Sequence, residues 1–320
     1  MRALVLGGAG FIGSHLVEVL LSEAYDVTVV DDLSSGSRGN LTMGKVKFIK
    51  GDVKTLSLIE KCSKDCDVIF DLAAFHPNIV GHIMKQASLD PASDAVETLS
   101  GIINVLEVAR KTNSSVVLAS TAAIYGEPLR NPVSESAIVA PVSAYGVSKY
   151  CAELYCKLYH EQYGVKTFIG RIFNSYGPRM YKYLLFDAMC KIRQNHGRLK
   201  LLGSGEEVRD FIFVKDTANA LYHLSQSDYF AEPVNIGTGI GAKVKEVVRL
   251  LCETIGIEPD VEFSGTSWRG NVNAIFADIG RLKSTEWRQQ YTLKQGIELF
   301  ALWFNQQVKQ PVQPSLKQAK

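Results

Sequence analysis

The feature that most constrains this fold is a glycine-rich turn that directly follows a short apolar segment near the N-terminus. Gly7, Gly10 and Gly13 follow the segment Arg2–Leu6, and a helical apolar pattern continues over 13–22. Glycines at these points let the backbone approach a pyrophosphate, which the amide groups at the start of the helix bind. The turn therefore predicts a dinucleotide site at the head of a Rossmann-type sheet.

Further apolar segments with little polar alternation predict parallel strands that are covered on both faces. Helical periodicity lies between them, as over 102–111. We therefore predict an α/β fold, a Rossmann-type doubly wound parallel sheet joined to a smaller α/β substrate-binding lobe. The predicted strands after the first lie at 27–30, 46–49, 68–70, 115–118 and 166–172.

The pattern changes to loops, mixed segments and helices after Tyr176. We predict a Rossmann domain over 1–176, a second lobe over 177–308 and a flexible tail over 309–320. A later segment, near 205–245, is expected to pack back onto the first domain. No Gly/Ser-rich or Pro-rich linker separates the two parts, so we expect them to share a cleft.

Composition excludes several classes of function. The 35 Lys and Arg residues nearly balance the 33 Asp and Glu residues, so no net field attracts nucleic acid. No apolar run reaches the roughly 18 residues that a membrane span requires. The six cysteines have neither disulfide-framework nor zinc spacing, so we predict reduced thiols, no metal site and a cytoplasmic protein.

An acidic residue identifies the expected dinucleotide. Asp31 ends the second predicted strand, 18 residues after Gly13, where a carboxylate binds both hydroxyls of the adenosine ribose. This carboxylate repels a 2′-phosphate, so NAD is favoured over NADP, although Arg38 is near enough to leave NADP open. Asp52 follows the third strand and is expected either to contact the adenine edge or to be an ordinary strand-end turn residue.

A tyrosine and a lysine predict proton chemistry beside the nicotinamide. Tyr145 and Lys149 are four residues apart at the start of an amphipathic helix, so both project from one face. The lysine cation is expected to lower the pKa of the phenol, which then acts as a general base. Lys149 can also reach the nicotinamide ribose.

Together these motifs resemble the extended short-chain dehydrogenase/reductase family, in particular its NAD-dependent sugar-nucleotide epimerases and dehydratases. The resemblance runs from Arg2 to about Trp303. It rests on the glycine turn, Asp-Leu-Ala-Ala at 71–74, Ser-Thr-Ala-Ala-Ile-Tyr-Gly at 120–126, the Tyr-Lys motif at 145–149, and the segments 171–179, 205–211 and 235–239.

The resemblance implies roles for several residues. Thr121 falls at the family's catalytic hydroxyl, which binds the sugar hydroxyl that Tyr145 deprotonates. Asn174 and Arg209 fall where relatives contact the sugar nucleotide, and Arg209 suits a diphosphate. The alternative for Arg209 is a salt bridge with Asp210 or Glu207. The complete set expected to bind NAD is Gly7, Gly10, Phe11, Ile12, Gly13, Asp31, Asp32, Asp52, Val53, Ala73, Ala74 and Lys149.

Three segments depart from the family pattern. His76 stands in an unusual loop beside the sugar, either as a substrate or acid/base group or as a loop histidine without a chemical role. Arg269 corresponds to a second phosphate-binding arginine, but its segment is one residue tighter than usual and ends in Asn271 instead of Asp. Thr98 replaces an asparagine that lies near the cofactor in relatives.

The residues after Thr121 indicate which reaction to expect. The family's 4,6-dehydratases carry acidic residues there, whereas this chain has Ala122 and Ala123. We therefore predict a UDP-sugar 4-epimerase that works through a transient 4-keto sugar. The alternatives are a 4,6-dehydratase, a 4-keto-sugar reductase or a non-catalytic NAD-sensing scaffold. Apolar helix faces at 102–109 and 150–159 either belong to the core or form a homodimer contact, which we favour slightly.

Overall fold

The larger part of the molecule is a seven-stranded sheet whose neighbouring strands are all parallel. The computed structural model describes residues 1–74, 87, 89–266 and 271–309, without the side chains of 308 and 309. The strands lie in the order β10-β6-β5-β4-β1-β2-β3, which confirms the predicted doubly wound α/β fold. They are β1 (Arg2–Leu6), β2 (Asp26–Asp31), β3 (Lys47–Lys50), β4 (Val68–Asp71), β5 (Ser115–Thr121), β6 (Thr167–Ile172) and β10 (Pro233–Ile236).

Helices cover both faces of this sheet, which is why its strands are almost uniformly apolar. Side chains alternate along each strand, so Val5 belongs to the core on one face and Leu4 to the core on the other. The first face is covered by α1 (Phe11–Ser22) and α6 (Val214–Ser225), and the second by α3 (Pro91–Thr112) and α4 (Ala144–Tyr163). A short helix, α2 (Leu56–Cys62), follows β3.

The smaller lobe has its own core, built around Tyr176, Leu185, Leu251 and Phe300. A strand at its centre, β9, pairs with β7, β11 and β13, while β8 pairs with β12. The elements are β7 (Asn174–Tyr176), α5 (Tyr183–Gln194), β8 (Arg198–Leu201), β9 (Val208–Phe213), β11 (Gly241–Lys243), α7 (Val244–Ile255), β12 (Asp260–Phe263), β13 (Ala274–Ile275), α8 (Gly280–Ser284) and α9 (Leu293–Lys309).

The chain crosses between the two parts more than once. After β9 it returns to the large sheet, where β10 pairs with β6 at the edge, with Asn235 opposite Arg171. The division of the lobes at 176 and 177 stays a prediction, and the expected tail lies outside the described residues beyond 309. Among the described helices, none is long and apolar enough to cross a membrane.

A buried ion pair joins α4 to β6 beneath the large sheet. Glu153 and Arg171 are each only 5% exposed, and their closest atoms are 2.7 Å apart. Arg171 Nη1 also donates to the hydroxyl of Tyr125 at 2.9 Å, and Ser120 Oγ donates to Glu153. Because both charges have lost their water, each depends on the other for compensation.

We predict that Arg171→Met lowers the free energy of unfolding by about 3–5 kcal/mol, because it leaves the Glu153 carboxylate buried without its counter-ion. Denaturant titration followed by circular dichroism measures the change. The matched control is Arg198→Met, which breaks an exposed pair with Glu262. It should cost about 0–1 kcal/mol, and equal losses in the two variants would contradict the prediction.

Candidate active site

The glycine turn forms a cradle at the carboxyl end of β1 that only glycine can form. Gly7 has a left-handed φ of 71°, and a Cβ there would lie 2.9 Å from the carbonyl oxygen of Leu72. A Cβ on Gly13 would lie 2.2 Å from the carbonyl oxygen of Gly7. Helix α1 starts at Phe11 with Gly10 as its N-cap, and no side chain caps it. The turn therefore presents backbone amides of residues such as Phe11 and Ile12, which suits a pyrophosphate.

Asp31, at the end of β2, is almost completely buried and braces this turn. Its Oδ2 accepts a hydrogen bond from the amide of Ala9 at 2.9 Å, and its Oδ1 accepts one from Leu33 at 2.8 Å. Burial raises the pKa of Asp31, and the two amide bonds oppose that rise. The ribose contact stays a prediction. The next residue, Asp32, is exposed and accepts a hydrogen bond from Ser34.

The segment after Asp31 closes over the turn through residues that the sequence analysis missed. The carbonyl of Ala9 accepts hydrogen bonds from Asn40 Nδ2 at 2.9 Å and from the amide of Ser37 at 3.0 Å. Arg38, the residue that left NADP open, lies 4.9 Å from the centre of the Phe48 ring. The sequence did not identify Asn40 as part of this site, because the carbonyl that it contacts is 31 positions away along the chain.

The residues expected near the adenine lie at the end of β3. Asp52 accepts a hydrogen bond from the amide of Lys54 at 2.8 Å and lies 3.4 Å from its Nζ, while the carbonyl of Val53 accepts one from Asn104. These contacts are those of a strand-end turn aspartate. The adenine contact stays a prediction.

The predicted catalytic side chains Thr121 and Tyr145 meet at the carboxyl end of the sheet. Thr121 ends β5 and accepts a hydrogen bond from the amide of Ala123 at 3.1 Å, and its side chain is also hydrogen-bonded to Tyr145. Tyr145 lies in the first turn of α4, where Ser143 Oγ caps the helix by accepting from Gly146 at 3.1 Å. Lys149 follows one turn later and is 3% exposed.

The expectation that Lys149 lowers the pKa of Tyr145 is wrong for this structure. The pKa of Tyr145 is raised to about 12, because burial of the phenol outweighs its hydrogen bond with Thr121, and the Asp94 carboxylate adds to the rise. Helix spacing correctly places the two residues on one face, but it carries no information about their loss of water.

Two buried aspartates beside Lys149 were also missed. Burial lowers the pKa of Lys149, and the carboxylates of Asp71 and Asp94 oppose this. Asp94, in the first turn of α3, accepts a hydrogen bond from Ser148 Oγ at 2.6 Å. Asp71 ends β4 and accepts one from the amide of Ala73 at 3.2 Å. The Asp-Leu-Ala-Ala motif could have identified Asp71, because this aspartate ends β4, the strand that pairs with β1.

The residues expected to bind substrate lie on adjoining strands. Asn174 is exposed and comes two residues after Ile172, which pairs with Thr121. Asn174 begins β7 and lies opposite Phe211 of β9, and Phe211 is two residues from Arg209 along β9. Ala73 and Ala74, which were predicted to bind NAD, are half-buried just beyond β4. The predicted residues His76 and Arg269 lie outside the described residues.

Arg209 makes neither of the salt bridges considered for it. Its guanidinium donates to the carbonyl of Val208 at 2.8 Å, to Asn271 Oδ1 at 2.6 Å and to the carbonyls of Val272 and Asn273. All of these acceptors are neutral. The arginine thus braces the segment at 271–273, and its contact with a diphosphate stays a prediction.

Tyr183, which the sequence analysis did not select, lies near Tyr145. Burial raises the pKa of Tyr183, and its electrostatic interaction with Tyr145 raises it further. Its backbone has a φ of 71°, an unfavourable conformation for an aromatic residue. Unfavourable backbone at the start of a helix, beside the phenol predicted to be catalytic, is typical of a functional site.

Comparisons with known proteins agree with this geometry. Residues 3–237 match the model of the NAD dependent epimerase/dehydratase family. A Methanocaldococcus jannaschii protein, provisionally named a UDP-glucose 4-epimerase, is 35% identical over 307 residues, 94% of this chain and 97% of that protein. The UDP-glucuronic acid decarboxylase 1 of Xenopus tropicalis is 31% identical over 82% of this chain and 62% of its own length.

Solved structures give the same result. The crystal structure of a UDP-glucose 4-epimerase from Thermotoga maritima, with UDP-glucose, superposes with a TM-score of 0.87. It is 31% identical, and the match covers 96% of this chain and all of that one. The fold of this chain is therefore shared along nearly its whole length with a solved UDP-glucose 4-epimerase.

We predict that Gly13→Ala weakens NAD binding by about 10- to 100-fold, because its Cβ collides with a backbone oxygen and overpacking of this kind costs about 1–3 kcal/mol. Calorimetric titration with NAD measures the change. Gly197→Ala is the control, since its Cβ would lie at an ordinary 3.6 Å from Asn195. Unchanged affinity in Gly13→Ala would contradict the predicted position of the pyrophosphate.

Proposed function

Because this chain belongs to the NAD-dependent epimerase/dehydratase family, we propose that it is a 4-epimerase of a nucleotide-diphosphate sugar, with a UDP-sugar as the substrate. The observation that carries this proposal is the pairing of an intact Thr121-Tyr145 contact with two alanines beside it. NAD is retained through the cycle, because the hydride removed from the sugar is returned to it.

The alanines distinguish epimerisation from elimination. Ala122 is buried and Ala123 donates its amide to Thr121, so this turn supplies no carboxylate. Removal of water from C5 and C6 requires an acid and a base at that place, whereas inversion at C4 requires only a proton acceptor for O4. The buried carboxylates of Asp71 and Asp94 act on Lys149 instead.

Each side chain of the group then has a task. Tyr145 accepts the O4 proton as the phenolate and later returns it, and Thr121 holds the same oxygen by a hydrogen bond. Because burial raises the pKa of Tyr145 to about 12, this phenolate is the minor form of the free protein. Lys149 binds the nicotinamide ribose, with Asp71 and Asp94 favouring its charged form. The glycine cradle would hold NAD, which when bound would supply the hydride-accepting and hydride-donating chemistry that inversion at C4 requires.

Related chemistries are the alternatives. A 4,6-dehydratase and a 4-keto-sugar reductase use the same tyrosine and lysine, and the Xenopus tropicalis relative is a UDP-glucuronic acid decarboxylase. A non-catalytic scaffold is disfavoured, because Thr121, Tyr145 and Lys149 are all present and the first two are in contact. These reactions differ in their products and in their use of reduced cofactor.

The test is to incubate the protein with UDP-glucose, UDP-glucuronate or UDP-N-acetylglucosamine without added NADH and to identify the sugars by chromatography. We expect the 4-epimer of one of them to form until equilibrium is reached. A 4-keto-6-deoxy or decarboxylated product as the sole outcome would replace the proposal by one of its alternatives.

We predict that Tyr145→Phe lowers kcat by about 10²- to 10⁴-fold, the usual contribution of a general base, while bound NAD is retained. Tyr163→Phe, on the exposed far end of the same helix, is the control and should leave kcat unchanged. Turnover and cofactor content are measured on the same samples. Full activity in Tyr145→Phe would refute its role as the base.

We also propose that the protein is a homodimer that pairs through α4. Val147, Leu154 and Leu158 lie seven and four residues apart on one face of α4 and are 42–49% exposed. Val96 on the neighbouring α3 is 61% exposed. An apolar stripe across two packed helices suits a second copy of the same stripe.

We expect Leu154→Glu to shift the protein from dimer to monomer in sedimentation velocity at micromolar concentration, because the dimer would bury two carboxylates. Leu302→Glu, on α9, introduces the same charge at another exposed leucine and should leave the dimer intact. A monomeric wild-type protein would contradict the proposal.

We propose the cytoplasm as the site of this reaction. The six cysteines are free thiols, and burial raises the pKa of those at 62, 66, 156 and 252. Unpaired buried thiols suit a reducing compartment.

A further inference from the structure

An ion pair links α1, called the cofactor helix below because it begins at the glycine turn, to the loop after β7. We call this ion pair, together with the contacts of His15, the tie. Arg179, in the loop after β7, donates from Nη2 to Glu18 on α1. His15 Nδ1 lies 3.6 Å from the other oxygen of Glu18. Burial alone would raise the pKa of Glu18, but the neighbouring His15 and Arg179 outweigh burial and hold this pKa at about 2. The carboxylate therefore stays charged at any pH at which the protein works.

A second contact reinforces the first. His15 is 3% exposed, and its Nε2 donates to the carbonyl of Pro178 at 3.1 Å. The ring of His15 also meets the ring of Phe11 edge to face, with 6.4 Å between centres. The first turns of α1 thus hold two consecutive residues of the loop, Pro178 and Arg179.

The loop adopts an unfavourable conformation to make these contacts. Arg179 has a φ of 69°, in the left-handed region that non-glycine residues rarely enter. Its Nη1 is buried without a hydrogen-bond partner among the described residues. Both features cost stability, so a purely structural role of the tie does not explain them.

The position of this tie suggests its use. Helix α1 begins at the glycine cradle, while the loop follows β7, the strand that starts with Asn174, and ends at Tyr183, which lies near Tyr145. The tie therefore connects the part of the molecule that binds the dinucleotide with the part that we propose binds the sugar nucleotide. A sugar held on one side must stay aligned with the cofactor on the other through loss and return of a hydride.

We propose that Arg179 is a positioning residue that, through Glu18 and His15, couples binding of the nucleotide sugar to retention of NAD. This inference rests on the proposed function, because it takes the loop to be part of the sugar-nucleotide site. Occupation of the loop by a nucleotide diphosphate stabilises the tie, and the tie in turn holds the cofactor helix in place. Coupling of this kind is reciprocal between the two ligands.

The experiment measures exchange of bound NAD for labelled NAD on the holoenzyme, with and without saturating UDP. We expect UDP to slow exchange about fivefold or more in the wild type, the lower range of such couplings. Arg179→Met and Glu18→Gln should each reduce this factor to below about twofold, and the double variant should be no worse than either, since both remove one interaction. Arg179→Lys should restore part of the coupling.

Lys191→Met is the matched control, because it breaks an exposed pair with Asp187 on α5 and should keep the wild-type factor. A merely structural tie would change thermal stability or the exchange rate without UDP, and the factor would stay the same, which would overturn the inference. UDP binding is checked by calorimetry. Wild-type protein that binds UDP without slowing exchange refutes the coupling alone, whereas absence of UDP binding refutes the proposed function together with it.

Discussion

The arrangement of this molecule depends on one close approach between two parallel strands. β1 and β4 are neighbours at the point where the strand order reverses, and there the glycine turn lies directly against the end of β4. Gly7 meets the backbone of Leu72 with no space for a Cβ. This contact brings the glycine cradle beside Asp71, whose carboxylate acts on Lys149. The crevice outside a reversal of strand order is the usual binding position in such sheets.

The sequence was sufficient for the features that depend on neighbours along the chain. Strand positions followed from short apolar runs, and the face shared by Tyr145 and Lys149 followed from helix periodicity. The helix predicted at 102–111 extends over Pro91–Thr112. Its first turns were not predicted because they are polar, although Asp90 as N-cap and the proline after it mark the start of the helix. The edge strand β10 was predicted only as part of the segment near 205–245 that packs back onto the first domain. A strand of four residues is too short to show a clear periodicity.

Contacts between distant parts of the chain could not be predicted in this way. The hydrogen bond of Ser148 to Asp94 joins residues 54 positions apart, and the contact of Arg179 with Glu18 joins residues 161 positions apart. Loss of water is likewise a property of the folded molecule. The pattern at 145–149 suggested a phenol with a lowered pKa, but burial dominates and raises it. A pKa that is predicted from residue spacing therefore also requires knowledge of how deeply each group is buried.

Arg209 illustrates how a departure from a family pattern acquires a physical meaning once its surroundings are known. Its hydrogen bonds go to an amide oxygen of Asn271 and to backbone carbonyls, and no carboxylate of the described residues contacts it. Burial lowers its pKa, and the more distant carboxylates of Glu207 and Glu127 oppose this. An aspartate in place of Asn271 would neutralise the guanidinium, whereas the asparagine holds it in position and leaves its positive charge to act on other groups. The contacts of Arg209 with 271–273 thus hold the arginine in place and preserve a cation two residues from Phe211, the strand partner of Asn174.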